Sequence, residues 1–248
     1  MVRKNRIRLV GALLPLVLSL SLVGCAVREG SADDGRLRVV TTLFPYYDFA
    51  RAIAGGRADV TLLLSPGREA HSFEPTPLDA VTISEADVFL YNGGEGEQWV
   101  DEILSSAGES IPTVLRMMDY AQTLEEEPVD GDSHDDHDGH DHDHDDHDHD
   151  SDDIEYDEHI WTSPKNAILM AEAIGKAIQA ADRGSAEYYQ THTEEYTEKL
   201  RALDSELTKT VKEAKRDLLI FADRFPFLYL ARALHSDIGN TVHILAKN

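Results

Sequence analysis

Two histidines and a histidine-rich run hold most of the chemistry available to this chain. His71 lies in Pro66-Gly67-Arg68-Glu69-Ala70-His71-Ser72-Phe73-Glu74-Pro75, and His159 in Asp157-Glu158-His159-Ile160-Trp161. Neutral imidazole suits Zn²⁺, and a zinc site needs about four N, O or S donors. Glu69, Glu74, Asp157 and Glu158 stand beside the two histidines. They could supply ligands, or accept the second N–H of an imidazole. The alternative for each histidine alone is a surface or capping residue.

Residues 130–153 hold His134, His137, His140, His142, His144, His147 and His149 among thirteen Asp, with no Lys or Arg. Such a segment cannot build a core, so it is expected to be disordered without ligand. Its many N and O donors should bind several divalent ions weakly, because ordering the chain costs entropy at each residue. Protonation near the ordinary imidazole pKa of about 6.5 should release them. A solvated acidic spacer is the alternative reading, but it has no need of seven His. His192, on a long helix, reads as a surface residue.

The positioning elements follow from the hydrophobic pattern. Leu37–Leu43, Val60–Leu64, Asp87–Tyr91 and Thr113–Leu115 read as short apolar strands. Between the first two, Tyr46, Phe49, Ala50 and Ile53 fall at helical spacing before Gly55-Gly56. Thr76-Pro77 and Ser163-Pro164 each place an N-cap before an N1 proline. Further helices are expected over Glu97–Leu104 and from Ser163 to about Ala181. The alternation predicts an α/β fold: a parallel-sheet lobe with flanking helices, and functional loops at the carboxyl ends of its strands. From about Ser185 to Lys215 a helix of about 45 Å is expected at ~1.5 Å per residue. Its stripe is Tyr189, Tyr196, Leu200, Leu203, Leu207, Val211 and Ala214. It could bridge two lobes, although periodicity alone favours a packing helix. Asp217–Phe221 reads as a strand opening a second sheet, and beyond about Leu234 the pattern fades. The C-terminal part is therefore expected to hold one strand and a helix.

The N-terminus reads as an export signal. Arg3, Lys4, Arg6 and Arg8 precede an apolar run over Leu9–Val23, too short for a comfortable membrane span. Leu22-Val23-Gly24-Cys25 contains the single Cys of the chain and resembles a lipobox, which makes Cys25 the lipidation site. The expected organisation is a signal peptide over 1–24, a tether over 25–36, and an N-terminal lobe over 37–163 carrying the 130–153 insert. A helix and the long helix span 164–215, and 216–248 begins a C-terminal lobe. The product would be extracytoplasmic and lipid-anchored to the bacterial cell membrane.

With 248 residues, 42% of them apolar, the chain can bury a sizeable core. Its net charge of −24 disfavours nucleic acid as a partner and favours cations. One Cys cannot form an internal disulfide. There is no HExxH helix, GxSxG elbow or P-loop, so no enzyme is expected.

Taken together, these motifs resemble the zinc-binding solute-binding lipoproteins of bacterial ABC metal importers. The likeness rests on VVTTLFPYYDFARAIAG at 39–55, LLLSPGREAHSFEPTP at 62–77, ADVFLYNG at 86–93, the His-rich tract and DEHIWTSPKNA at 157–167. It continues through SAEYYQTHTEEYTEKLRALDSEL at 185–207 and FADRFPFLY at 221–229. The resemblance implies two α/β lobes joined by a rigid helix, with one metal clamped between them. It makes His71 and His159 the ligands from the first lobe, and the tract a mark of zinc over manganese. The third ligand, a His in that family, falls where Ala222 stands, with Asp223 beside it or a water as the substitute. The fourth has no counterpart, so the chain is expected to be truncated in its second lobe. The resemblance implies a monomer that delivers Zn²⁺ to an ABC permease. A surface metal buffer acting through the tract, or a manganese or iron carrier, are the alternatives.

Overall fold

The computed structural model describes residues 35–65, 67, 73–125, 156–215, 218–221, 226–238 and 243–246. The strands are β1 (Leu37–Thr41), β2 (Ala58–Leu62), β3 (Val88–Tyr91), β4 (Thr113–Arg116), β5 (Leu218–Phe221) and β6 (His243–Ala246). The helices are α1 (Phe44–Ala54), α2 (Pro77–Ser84), α3 (Trp99–Ala107), α4 (Pro164–Ala181), α5 (Ala186–Glu213) and α6 (Leu228–Ile238).

Alternation along the two central strands sets the layers. Successive residues of a strand point to opposite faces. Leu37 and Val39 of β1, with Val88 and Leu90 of β3, enter one core; Val40 and Phe89 enter the other. Strands buried on both faces need cover on both, as in parallel α/β sheets. Helices α1, α4 and α5 cover the first face through Tyr46, Ile53, Met170, Ile174 and Tyr189. Helices α2 and α3 cover the second through Ile83, Val100 and Ile103. The sheet is parallel throughout, in the order β2-β1-β3-β4.

Local signals placed the helix starts well. Thr76 and Asp79 form a reciprocal capping box, with the Thr76 hydroxyl accepting from the Asp79 N–H at 3.3 Å and Asp79 accepting from the Thr76 N–H at 2.8 Å. Ser163 caps α4 before Pro164. Boundaries elsewhere moved. The second strand starts two residues earlier than expected, at Ala58, and Glu97 lies in a 3₁₀ turn before α3 rather than in it.

Helix α5 packs along α4 and α1, and its buried face differs from the expected stripe. Tyr189 is buried, but Leu203 is 45% exposed and Ala214 lies beyond the last turn. Thr193 and Thr197 are buried instead. Backbones approach so closely there that a Cβ on Gly175 of α4 would stand 2.3 Å from the Thr193 hydroxyl oxygen. Small residues win at such a crossing. The two hydroxyls bond to carbonyls of their own helix, Thr193 to Tyr189 at 2.7 Å and Thr197 to Glu194 at 3.1 Å, so burial leaves neither unpaired. His192, expected on the surface, is half-buried against the Tyr188 ring and bonds to the Tyr188 carbonyl at 2.8 Å.

The C-terminal part holds more than one strand and a helix. β5 and β6 pair in parallel, from Leu218 opposite His243 to Phe221 opposite Ala246, with α6 as the crossover. The segment HILA is too short to announce itself as a strand; a parallel partner four residues long defines it. Among the described residues, no helix is long and apolar enough to cross a membrane.

Candidate metal centre

The strand order reverses between β1 and β3: the chain leaves β1 for β2 on one side, then returns to β3 on the other. In open parallel sheets the crevice at the carboxyl ends of such strands is where ligands bind. Here those ends are Thr42 after β1 and Asn92 after β3, held together by the Thr42 N–H donating to the Leu90 carbonyl at 3.1 Å.

His159 stands beside this crevice at the start of a 3₁₀ turn over Ile160–Thr162. Its Nδ1 lies 3.2 Å from Oδ1 of Asp157, and its backbone N–H donates to the same oxygen at 2.8 Å. Asp157 is buried, whereas the His159 side chain is 34% exposed. A carboxylate on Nδ1 favours the tautomer with the proton there, which leaves the Nε2 lone pair for a ligand. The Trp161 ring packs edge-on to the imidazole, and Tyr46 packs edge-on to Trp161. That apolar wall restricts how the ring can turn.

A second set of contacts fixes the backbone that carries His159. Asn92 donates from Nδ2 to the Glu158 carbonyl at 3.0 Å and accepts the Tyr46 hydroxyl on Oδ1. The Glu158 carboxylate accepts the Gly96 N–H at 2.8 Å. Gly94 makes this approach possible: its φ is +88°, and a Cβ there would meet Oε1 of Glu158 at 2.5 Å. Beneath the loop, Oε2 of the buried Glu97 accepts the Asn92 N–H at 2.6 Å and the Gly93 N–H at 3.0 Å. Burial pushes the Glu97 carboxyl up to about 7. The nearby Thr42 hydroxyl and the two amides oppose that rise, and the Glu158 charge adds to it. Burial also raises the Tyr46 phenol well above its ordinary value, with Glu97 and Glu158 contributing.

The histidine-rich insert is entered and left through a neck. Glu125 and Tyr156 form an antiparallel bridge, and the Asp157 N–H donates to the Leu124 carbonyl at 3.1 Å. Tyr229 of α6 spans both sides of it, accepting the Leu124 N–H at 3.0 Å and donating to the Asp157 carbonyl at 2.6 Å. Burial raises this phenol to about 12.

Of the residues singled out from sequence, His159 and its neighbours Asp157 and Glu158 are therefore placed, and Glu74 is exposed on the segment before α2. Asp157 serves as the imidazole acceptor, and Glu158 turns to the Gly96 amide. His71, Glu69, Ala222, Asp223, Cys25 and the seven tract histidines (His134, His137, His140, His142, His144, His147, His149) lie outside the described residues. Among the described residues, no three His, Cys, Asp or Glu converge on a point that could hold a metal. Sequence reading passed over Asn92, Glu97 and Tyr229. The signal for the first two was present: Asn-Gly-Gly directly after a buried strand, with two glutamates, Glu95 and Glu97, between that turn and helix α3.

Most of this architecture has counterparts. Residues 39–243 match the family profile described as ZnuA, zinc-uptake complex component A periplasmic. The chain belongs to this family. It is 31% identical over 223 residues to the zinc-binding lipoprotein AdcA of Streptococcus pneumoniae, covering 90% of this chain and 42% of that one. It is 35% identical over 220 residues to the high-affinity zinc uptake system protein ZnuA of Bacillus subtilis, covering 87% of this chain and 64% of that one. The fold is similar to that of Zn(II)-bound AdcA from S. pneumoniae, at a TM-score of 0.65 and 26% identity over 86% of this chain and 40% of the other. The B. subtilis metal-dependent lipoprotein YcdH matches at a TM-score of 0.66 and 27% identity, over 86% and 67%. The chain thus spans about two-fifths of its streptococcal relatives and under two-thirds of the curated B. subtilis one.

Proposed function

We infer that this chain captures Zn²⁺ outside the cytoplasm and passes it to the permease of an ABC importer. The observation that carries the reading is the state of His159. Its Nδ1 faces a buried carboxylate, which leaves the Nε2 lone pair for a ligand, its side chain is about one-third exposed, and it stands at the mouth of the sheet's switch point in a chain of the ZnuA family. That is how a protein prepares an imidazole to ligate a metal. In this reading His71, on the loop after β2, is the second nitrogen ligand, and Asp223, on the segment after β5, offers a carboxylate. The seven tract histidines form an accessory, weaker collecting site hung from the Glu125–Tyr156 bridge. Cys25 carries the lipid that keeps the carrier at the cell membrane, and the chain works as a monomer without catalysing a reaction.

The test is zinc stoichiometry and affinity on the mature Cys25→Ser chain lacking residues 130–153. The neck is closed by its own hydrogen bonds, so removing the insert leaves the lobe's ends joined. One tightly bound equivalent, lost in both His71→Ala and His159→Ala, is the expected result. Only weak binding, gone with the tract, would make the protein a surface metal buffer instead. Preference for manganese over zinc would make it a manganese carrier of the same architecture.

A further inference from the structure

Beside the candidate centre are three buried polar atoms that zinc capture does not use. Thr42 Oγ1, Glu97 Oε1 and Trp99 Nε1 are shut off from solvent and make no hydrogen bond of normal geometry among the described residues, although the Thr42 hydroxyl stands near enough to the Glu97 carboxyl to oppose the rise of its pKa. Thr42 is 2% exposed and Glu97 4%. All three residues line one small pocket at the switch point, whose remaining walls are Leu43, Leu64 and Phe73. It leaves about 10 Å³ for the centre of a water-sized sphere, which is about the room that one water needs. Most buried polar atoms in native interiors are paired, so three unpaired ones on residues around a single pocket call for a shared partner.

The three atoms select that partner. The indole N–H only donates, a hydroxyl does either, and Glu97 Oε1 accepts when ionised and donates when protonated. A metal cation would meet the indole proton, and an anion would meet the carboxylate. A water molecule accepts from Trp99, donates to an ionised Glu97 or accepts from a protonated one, and bonds to Thr42 in either sense.

The water would also have a mechanical role. The terminal torsion of a glutamate is broad, so packing alone holds a carboxyl plane loosely. A hydrogen bond on Oε1 locks that plane and keeps Oε2 under the amides of Asn92 and Gly93. Asn92 then holds the Glu158 carbonyl, one residue before His159. We propose that Thr42, Glu97 and Trp99 seat one structural water, and that Glu97, braced by it, is the positioning residue for the Glu158–His159 segment. The positioning half rests on the reading of His159 as a zinc ligand; the water seat does not.

Two measurements on the full mature chain test the two halves separately. The chain has two tryptophans, so a ¹⁵N-labelled sample gives two indole N–H signals, and Trp99→Phe identifies which is which. The Trp99 indole should show a cross-relaxation peak to a long-lived water, in the wild type and in Glu97→Gln. The glutamine keeps its oxygen under the two amides and donates its NH₂ to the water. Absence of that peak in folded wild-type protein overturns the seat. Zinc affinity, read by competition with a high-affinity chelator, should weaken about tenfold in Glu97→Ala and stay near wild type in Glu97→Gln. Unchanged affinity in Glu97→Ala, or an equal loss in Glu97→Gln, overturns the positioning role. Should Glu97→Ala fail to fold, Thr42→Val removes one partner of the water at nearly constant shape. It should hasten exchange of the bound water and weaken zinc; an unaltered water peak overturns Thr42's part in the seat. A wild type with no tight zinc removes the positioning half together with the carrier reading, while the water peak still decides the seat.

Discussion

The hydroxyl of Tyr229 donates a 2.6 Å hydrogen bond to the backbone carbonyl of Asp157, a residue 72 positions earlier in the chain. The same oxygen accepts the Leu124 N–H at 3.0 Å. One phenol from α6 therefore holds both sides of the neck through which the histidine-rich insert leaves the lobe. Because the Asp157 carboxylate contacts both the backbone N–H and Nδ1 of His159, the grip on the neck is also a grip on the candidate ligand.

Tyr229→Phe keeps the ring and removes the hydroxyl. The Leu124 amide and the Asp157 carbonyl lose their partner, which should cost about 1–3 kcal/mol of stability. Urea unfolding of the wild type and the variant measures it. An unchanged midpoint would show that the neck satisfies its own backbone without α6.

Asp157→Ala should lower zinc affinity by about ten- to a hundredfold without abolishing binding, since it removes an orienting acceptor and leaves the ligand. Asp157→Asn should fall between the two, because its amide oxygen still accepts from Nδ1–H. Chelator competition on protein lacking the 130–153 insert reads both. An affinity equal to wild type in the alanine variant would mean that His159 is held by the Trp161 wall alone, or does not bind the metal.

Glu97 gives stability a pH dependence of known sign. Its carboxyl titrates near 4.5 ordinarily and is pushed up to about 7 by burial in the folded chain. Between those values the folded state holds a proton that the unfolded state has lost, so stability falls as pH rises through this window. At about 1.4 kcal/mol per pKa unit, the difference between the wild type and Glu97→Gln should grow by about 3 kcal/mol from below pH 4.5 to above pH 7. Urea titrations of both proteins at about pH 4 and about pH 7.5 test this. A constant difference would mean that the Glu97 carboxyl titrates alike in the folded and unfolded chain.

Gly94→Ala should destabilise the chain by about 1–3 kcal/mol, since it combines a left-handed backbone with a clash against the Glu158 carboxylate. Thermal unfolding checks the first effect. The second predicts a loss of zinc affinity, because the displaced carboxylate no longer holds the Gly96 amide beside His159.

Much of the fold was legible in local chemistry. The Thr76-Pro77 and Ser163-Pro164 caps, the helix of Tyr46, Phe49, Ala50 and Ile53, and the four short apolar strands read directly from residue type and spacing. Such signals depend on a few neighbouring residues and on the backbone's own preferences, so the sequence alone determined them. It also determined the family, through motifs distributed along the chain, and it marked His159 as chemically able.

Only the tertiary structure decided what those elements do together. The buried face of α5 runs through Thr193 and Thr197 because α4 comes too close there for larger side chains, a distance that no periodicity encodes. β6 exists because β5 offers it a parallel edge. The His159 ring is oriented because Asp157 is buried beneath it, and Asp157 is held because Tyr229 reaches its carbonyl from a helix far along the chain. The role of Glu97 depends on the strand order that brings Thr42 and Asn92 side by side. Residue type fixes what a group can donate or accept; burial and long-range contacts fix whether it has anything to donate to.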